Sequence, residues 1–249
     1  MNEKIKNFFL TAGSIVFWII FWQFGASFSN QKLLLKIPLP LATVRAFAEN
    51  CTRPDFWAVI AKSLLNIIFG FLTAVIIGTV CGLLAGHSNF FKRLSSPILH
   101  MVRAVPVAAF IIVAWLWIPA GILPSFISFL MVLPIIWSHV DAGLSSIDND
   151  IVEMARVYNM PNLNIIAKIK LPFVLPQLRT GCITGLGIAW KAGVAAEIIT
   201  SPSKTLGALL SHAKTDIDYE QVFAITLTII ILSISMEYLL KIVWKEQKR

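Results

Sequence analysis

An uncharged run constrains this chain more than any other stretch: no Asp, Glu, Lys or Arg occurs from Ala104 to Val140. A single helix of that length would exceed a hydrocarbon core of about 30 Å, because an α-helix rises about 1.5 Å per residue. The cluster Pro119-Ala-Gly-Ile-Leu-Pro124 divides the run, which predicts two membrane spans, Pro97–Ile118 and Leu123–Ser145. Pro106 and Pro134 lie inside these spans and are expected to interrupt and kink them.

Composition agrees with a polytopic membrane protein. The chain is 57% hydrophobic and 14% charged, with a mean hydropathy of +0.78, which is too apolar for a soluble domain. We therefore predict an all-α protein with six transmembrane helices in one domain, residues 1–249, with its core at 57–245. A short surface helix is expected at Leu41–Asn50. The four remaining spans are predicted at Phe8–Phe28, Ala58–Gly86, Phe173–Ile199 and Gln221–Val243.

Small residues recur at every fourth position in two of the predicted spans. Such a stripe lies along one helix face and lets another helix backbone approach closely. Packing within one subunit is favoured over an interface between subunits. The stripes are Gly70, Ala74, Gly78, Gly82 and Gly86 in the second span and Gly181, Gly185, Ala189 and Gly193 in the fifth.

A polar insert, Glu153–Pro172, separates the fourth and fifth spans. A short helix is expected to stop at Asn159, since Asn tolerates the left-handed conformation. Pro161 suits the first turn of a second helix, and Pro172 is expected to close that helix or bend it into the next segment. A helix–turn–helix between spans is a docking surface, although a helix lying on the membrane surface is the alternative.

This insert resembles the EAA loop of the permease subunits of bacterial ABC importers. Glu153 and Ala155 match the start of the motif, and Ile169, Leu171 and Pro172 match its end, whereas Met154 and Asn159 replace an Ala and a Gly. The resemblance implies a type I importer permease fold and a cytoplasmic coupling loop at 147–172. The implied ATPase-coupling residues are Glu153, Ala155, Asn159, Leu171 and Pro172.

Segments outside the loop resemble the nitrate, sulfonate and taurine type of permease. They are Arg103-Ala-Val-Pro106, Trp117–Ile122, Gly181–Glu197 and Leu206–Leu210. The resemblance implies a translocation path for a small solute such as nitrate, a sulfonate, taurine or a vitamin precursor. The implied partners are a cytoplasmic ATPase dimer, an extracytoplasmic solute-binding protein and a second permease subunit, expected to be a second copy of this chain in the bilayer.

Loop charges predict orientation. If the N-terminus lies inside, the inner segments hold eleven Lys and Arg residues, including Lys248 and Arg249 at the C-terminus, and the outer segments hold six. The positive-inside rule then places both termini and the Glu153–Pro172 loop in the cytoplasm of a cell inner membrane. Because the basic residues mostly flank apolar segments, the net charge of +8 does not indicate nucleic-acid binding.

Catalytic, metal and cofactor motifs are not found. The sequence has no Gly-Lys pair and so no P-loop, and no Gly-x-Ser-x-Gly motif. The four His residues have no metal-ligand spacing, and Cys51, Cys81 and Cys182 suggest no disulfide framework. We therefore expect no enzyme activity, no metal and no cofactor in this chain; energy for transport would come from a partner.

Four residues of the fifth span are candidates for the translocation path: Gly185, Trp190, Lys191 and Glu197. A buried cation such as Lys191 requires a partner or an aqueous surrounding. Glu197, Glu237 and the path itself are the three alternatives for it. The competing function is a secondary transporter driven by an ion gradient, which needs intramembrane carboxylates; Glu197, Glu237 and Asp141 are the candidates.

Overall fold

Helices make up nearly all of the computed structural model, which describes residues 3–32 and 37–245. Those residues contain no β-strand, which confirms the all-α prediction. Lys248 and Arg249, used in the loop-charge argument, lie outside the described residues. In chain order the elements are α1 Glu3–Lys32, α2 Pro40–Cys51, α3 Pro54–His87, α4 Asn89–Ala104, α5 Val107–Trp115, α6 Leu123–Ser145, α7 Asn149–Val157, α8 Asn162–Asn164, a π-helical segment Ile165–Lys170, α9 Leu171–Thr200, α10 Leu206–Thr215 and α11 Tyr219–Lys245.

Four described helical segments are long and apolar enough to cross a membrane: Pro54–His87, Leu123–Ser145, Ile165–Thr200 and Tyr219–Val243. The bent pair of α4 and α5 adds a fifth if it forms one span, and α1 contains a shorter apolar segment, Gly13–Phe28. These helices confirm a polytopic membrane protein, while the count of six spans stays a prediction.

The third predicted span differs from expectation. Instead of one kinked helix over 97–118, α4 and α5 meet at an angle of 103°. Val105 is extended because the following proline disfavours helical backbone at that position, and Pro106 caps α5. The connection between the second and third predicted spans, for which the sequence predicts a short loop at 87–96, is also helical from Asn89. Ser88 caps α4 by accepting a hydrogen bond from the Phe91 amide, at 3.3 Å.

One further expectation requires correction. Pro134 does not interrupt its helix, because α6 continues through it from Leu123 to Ser145. The polar segment between the fifth and sixth predicted spans contains a helix, α10. The short helix expected at Leu41–Asn50 is present as α2.

The chain divides into two compact units, and the single domain stays a prediction. One unit comprises residues 1–58 and 209–230. In it Trp22 and Phe223 stack with ring centroids 5.7 Å apart. The Asn50 amide donates a hydrogen bond to the Gln221 side-chain oxygen, at 2.8 Å.

The other unit comprises residues 59–208 and 231–249. Of the candidate membrane spans, Ile165–Thr200 is the most buried and α6 is the second most buried. The glycine stripe of α3 faces α6: a Cβ at Gly78 would lie 3.0 Å from Ile136 Cβ, and one at Gly82 would lie 2.7 Å from Val140 Cβ. Gly181 and Gly185 of α9 likewise contact His139 and Val132 of α6. These contacts confirm that the stripes pack within one subunit.

We expect Gly70→Ala to destabilise the protein by about 1–3 kcal/mol, the usual cost of overpacking a core. Its Cβ would overlap the Ser125 carbonyl oxygen, which is backbone and cannot rotate away. Gly13→Ala is the matched control, because nothing lies within 4 Å of a Cβ there. Thermal unfolding of both variants in detergent tests this; equal stability would show that α3 and α6 are not so closely packed.

Candidate functional site

The loop between α6 and α9 has the turn that its sequence predicts. Asn159 has a φ of 51°, the left-handed conformation expected of it. The Met160 amide donates to the Ala155 carbonyl oxygen at 3.0 Å, a bond from the second residue beyond the cap to the third-last helical residue. This is the Schellman arrangement that ends helices, and it fixes the direction in which the chain leaves α7.

The second half of the loop is helical but continuous with the span. Helix α8 begins at Asn162, one residue later than predicted, because Pro161 serves as its cap. The helix does not close at Pro172. A π-helical segment, Ile165–Lys170, leads into α9 with the Leu171 amide bonded to the Ile166 carbonyl oxygen. Such wide turns accommodate local disruptions of the α-helical hydrogen-bond ladder, here next to a proline that lacks a donor.

Helix α7 presents two different faces. Ala155 is 5% exposed, whereas Val157 and Tyr158 are each 78% exposed, and Met154 is exposed beside them. Glu153 is also exposed. A small residue therefore faces the protein, while large apolar side chains face outward. We call Met154, Val157 and Tyr158 the apolar patch of α7.

Two contacts attach this loop to the spans. Helix α7 lies against the π-helical segment that begins α9, where Ile165 is buried. At the end of that segment Lys170 Nζ is 3.2 Å from His87 Nδ1, at the end of α3. The loop therefore contacts two spans rather than one. Leu171, the matched motif residue at the start of α9, is half exposed, and Pro172 is exposed.

The four path candidates occupy different surroundings. Lys191 is exposed, and no carboxylate of the described chain lies within 4 Å of it. Trp190 is only 2% exposed. Gly185 is buried, and a Cβ there would lie 3.1 Å from Val132 Cγ1. In this conformation only Lys191 of the four presents much side-chain surface to a solute.

Neither proposed partner of Lys191 is paired with it. Glu237 Oε2 is 3.8 Å from Lys241 Nζ, one turn along α11, which is the competition that the sequence indicated. Glu197 bonds elsewhere and is fully buried. Of the three alternatives for Lys191, the two ion pairs are not formed in this structure.

Glu197 organises a junction between α9 and α10. Its Oε2 accepts hydrogen bonds from Ser63 Oγ at 2.9 Å and from the Gly207 amide at 3.1 Å. Ser63 Oγ in turn accepts from the Leu206 amide at 2.9 Å. These residues satisfy amides in the first turn of α10, which have no partners within their own helix, and a carboxylate is favoured at that positive end of the helix dipole.

Neighbouring residues complete the junction. Thr205 Oγ1 accepts from the Ala208 amide at 3.3 Å, as an N-cap residue does. Gly207 is required, because a Cβ there would overlap Glu197 Cβ. Lys62 Nζ donates to the Ser203 carbonyl oxygen at 2.8 Å. Sequence reasoning could have found the Thr205 cap three residues before Ala208, but nothing local indicates Ser63, which is more than a hundred residues away.

Comparison with known proteins assigns the family. Residues 74–248 match the model for the binding-protein-dependent transport system inner membrane component, and this match covers more than half of the chain. The chain belongs to that family. This membership confirms the prediction that the chain is a binding-protein-dependent ABC importer permease, a multi-pass protein of the inner membrane. Since such permeases are membrane channel subunits, it also confirms that this permease is not itself an enzyme.

Three curated relatives of the permease have named transport systems. It is 29% identical over 226 residues to the bicarbonate transport system permease protein CmpB of Synechococcus elongatus, covering 85% of this chain and 79% of the relative. It is 27% identical to the riboflavin transport system permease protein RibX of Chloroflexus aurantiacus, covering 91% and 87%. It is also 27% identical to the putative aliphatic sulfonates transport permease protein SsuC of Bacillus subtilis, covering 88% and 78%.

Proposed function

We propose that this permease forms the translocation path of an ATP-driven importer for a small solute and that its 147–172 loop couples the path to a separate ATPase dimer. Family membership supports the importer, with ATPase and solute-binding-protein partners. The relatives named for bicarbonate, riboflavin and aliphatic sulfonates support a small solute. Nitrate, a sulfonate, taurine or a vitamin precursor is the class proposed.

The apolar patch of α7 is the observation that carries the coupling proposal. Exposed clusters of large apolar side chains are unfavourable in water and mark protein interaction sites, and a helix that inserts such residues into a groove is a common recognition mode. Tyr158 supplies the amphipathic aromatic surface that is enriched at binding hot spots. Glu153 and Asn159 lie at either side of the patch in sequence: one adds an exposed charge and the other sets the turn.

These contacts with two spans give the docked loop a mechanical role. If the ATPase dimer closes on binding ATP, α7 moves with the surface that holds it. The contact of α7 with the start of α9 and the Lys170–His87 contact pass that movement to two spans. The transition between inward-open and outward-open states is then a two-state change biased by nucleotide.

The orientation proposed places both termini and the 147–172 loop in the cytoplasm, from the loop charges. Single cysteines at Asn162 and Ser203 test it, in a background from which the natural cysteines are removed. We expect a membrane-impermeant thiol reagent applied from outside to label position 203 and leave position 162 unlabelled. Labelling of position 162 in intact cells would contradict the orientation.

Two permease subunits, proposed to be identical, would enclose the path. We propose that Lys191 faces that path, because it is exposed and unpaired by any described carboxylate and an uncompensated cation in a membrane span requires water or an anion. Trp190, Gly185 and Glu197 then act from behind, by holding α9 in place.

Uptake into proteoliposomes distinguishes this function from ion-coupled transport. The permease is reconstituted with its co-purified ATPase and binding protein, and uptake of the bound solute is measured with and without ATP on the ATPase side. We expect uptake to require ATP and to survive ionophores that collapse proton and sodium gradients. Uptake that needs no ATP and is lost with the ionophores would instead support the secondary transporter.

A further inference from the structure

Helices α4 and α6 line an open cavity of about 240 Å³ that contains several polar side chains. The side chains that matter here are those of Lys92, Ser96, His100 and Arg103 on α4 and of Ser138 and Asp141 on α6. We call this cavity the basic cleft. Polar side chains are concentrated here although both helices are otherwise rich in apolar residues.

The basic cleft has an excess of positive charge. Lys92 Nζ lies 2.8 and 2.9 Å from the two carboxylate oxygens of Asp141, so these two charges compensate each other. Arg103 Nη2 donates to the Pro134 carbonyl oxygen, at 2.8 Å, and to Ser138 Oγ. Neither acceptor is charged, and no carboxylate of the described residues lies within 4 Å of Arg103. Its guanidinium group is thus oriented by α6 but not neutralised by it.

An apolar groove adjoins the basic cleft. It has a volume of about 270 Å³ and is lined by Phe91, Leu94, Ile98 and Leu133, among others. The two cavities share Ser95, Leu99 and Trp137 as lining residues. Phe91 and Trp137 stack with centroids 5.6 Å apart, which gives the groove a firm wall.

The outer face of α4 extends this apolar surface. Phe90, Leu94, Ile98 and Met101 recur at helical spacing and are all exposed, and none of the residues of α4 is fully buried. A positively charged cleft beside an apolar groove and an apolar helix face is complementary to a molecule with an anionic head and a hydrocarbon chain. A small free anion would leave the groove unfilled, and a zwitterionic lipid would bring a second cation, beside its phosphate, close to Arg103 and Lys92.

We propose that the basic cleft and the apolar groove bind one anionic phospholipid. The phosphate is held by Arg103, since a guanidinium group matches phosphate geometry, with Ser96 and His100 as further lining groups. One acyl chain follows the groove along Leu133. Basic pockets between membrane helices are known to hold anionic lipid headgroups. This site goes beyond the proposed function, because it requires neither ATPase docking nor transport.

Lipid binding to the purified, detergent-solubilised permease tests the proposal. Native mass spectrometry and thermal unfolding are carried out with dioleoylphosphatidylglycerol, dioleoylphosphatidylcholine or inorganic phosphate. We expect the phosphatidylglycerol to bind and raise the unfolding temperature more than the other two. Arg103→Gln should weaken its binding about fivefold, as loss of one basic contact does. Arg93→Gln removes the same charge one helix face away, outside the cleft, and should leave binding unchanged.

A second variant covers the case in which Arg103→Gln does not fold. Ser96 makes no described hydrogen bond, so Ser96→Asp places a carboxylate in the cleft without breaking one, and it should also weaken phosphatidylglycerol binding. Equal binding of the phosphatidylcholine would overturn the proposal. So would protection by inorganic phosphate alone, which would indicate a site for free oxyanions, or an equal loss in Arg93→Gln and Arg103→Gln.

Discussion

The double substitution Val157→Lys and Tyr158→Ser is expected to abolish binding of the ATPase while the permease still inserts and folds. Both side chains are 78% exposed, so their removal leaves no cavity in the chain itself. Lys is favourable at the end of a helix, and Ser is tolerated where the helix stops. If each side chain is a hot spot worth about 2 kcal/mol, the pair weakens ATPase binding by roughly a thousandfold.

Two controls separate a docking defect from a folding defect. Asn159→Gly keeps the left-handed turn, because Gly adopts positive φ without strain, and should retain ATPase binding and solute-stimulated hydrolysis. Ile217→Asn removes a comparably exposed apolar residue outside the loop, and it should behave like the wild type. Normal hydrolysis in the Val157 and Tyr158 double variant would show that the apolar patch of α7 does not couple the ATPase.

Glu197→Ala is expected to be the most destabilising single substitution in the membrane region. It leaves the Gly207 amide and Ser63 hydroxyl without their acceptor in a fully buried site, and each unsatisfied buried group costs about 1–3 kcal/mol. We therefore expect a loss of about 2–6 kcal/mol, measured by thermal unfolding in detergent. Glu197→Gln retains one acceptor oxygen of the same shape and should lose less.

Glu237→Ala is the matched carboxylate control. Glu237 is partly exposed, and its ion pair with Lys241 is long, at 3.8 Å, so its removal should cost below about 1 kcal/mol. Comparison of Glu197→Ala with this control also separates the two roles considered for Glu197, which are to hold the junction with α10 and to line the path. If Glu197→Ala keeps wild-type stability and loses only transport, Glu197 is a path residue and the junction with α10 is not essential to the fold.

Local sequence signals accounted for much of this fold. The long apolar segments are found as helices, and the stop at Asn159 followed from a single residue type that tolerates positive φ. The glycine stripes indicated close helix packing because their spacing alone determines a helix face. In each case the physical cause lies within one turn or one helix of the residues concerned.

The remaining features depend on distant contacts. Pro106 indicated an interruption, but the 103° angle between α4 and α5 depends on how both helices pack against α6. Helix α10 is capped partly from Ser63, far away in sequence, so the residues around its start indicate this cap only in part. Glu197 was a candidate for the path, whereas its hydrogen-bond donors, Ser63 and Gly207, become apparent only in three dimensions.

Site-specific photocrosslinking tests the coupling claim most directly. A photoreactive phenylalanine analogue replaces Tyr158 or, as the control, Ile217, in membranes that contain the ATPase and the solute-binding protein. We predict that position 158 forms an adduct with the ATPase, that substitution of Val157 by Lys reduces this adduct, and that position 217 forms no adduct with the ATPase. An ATPase adduct at position 217, or an adduct of position 158 with the solute-binding protein instead, would contradict this prediction.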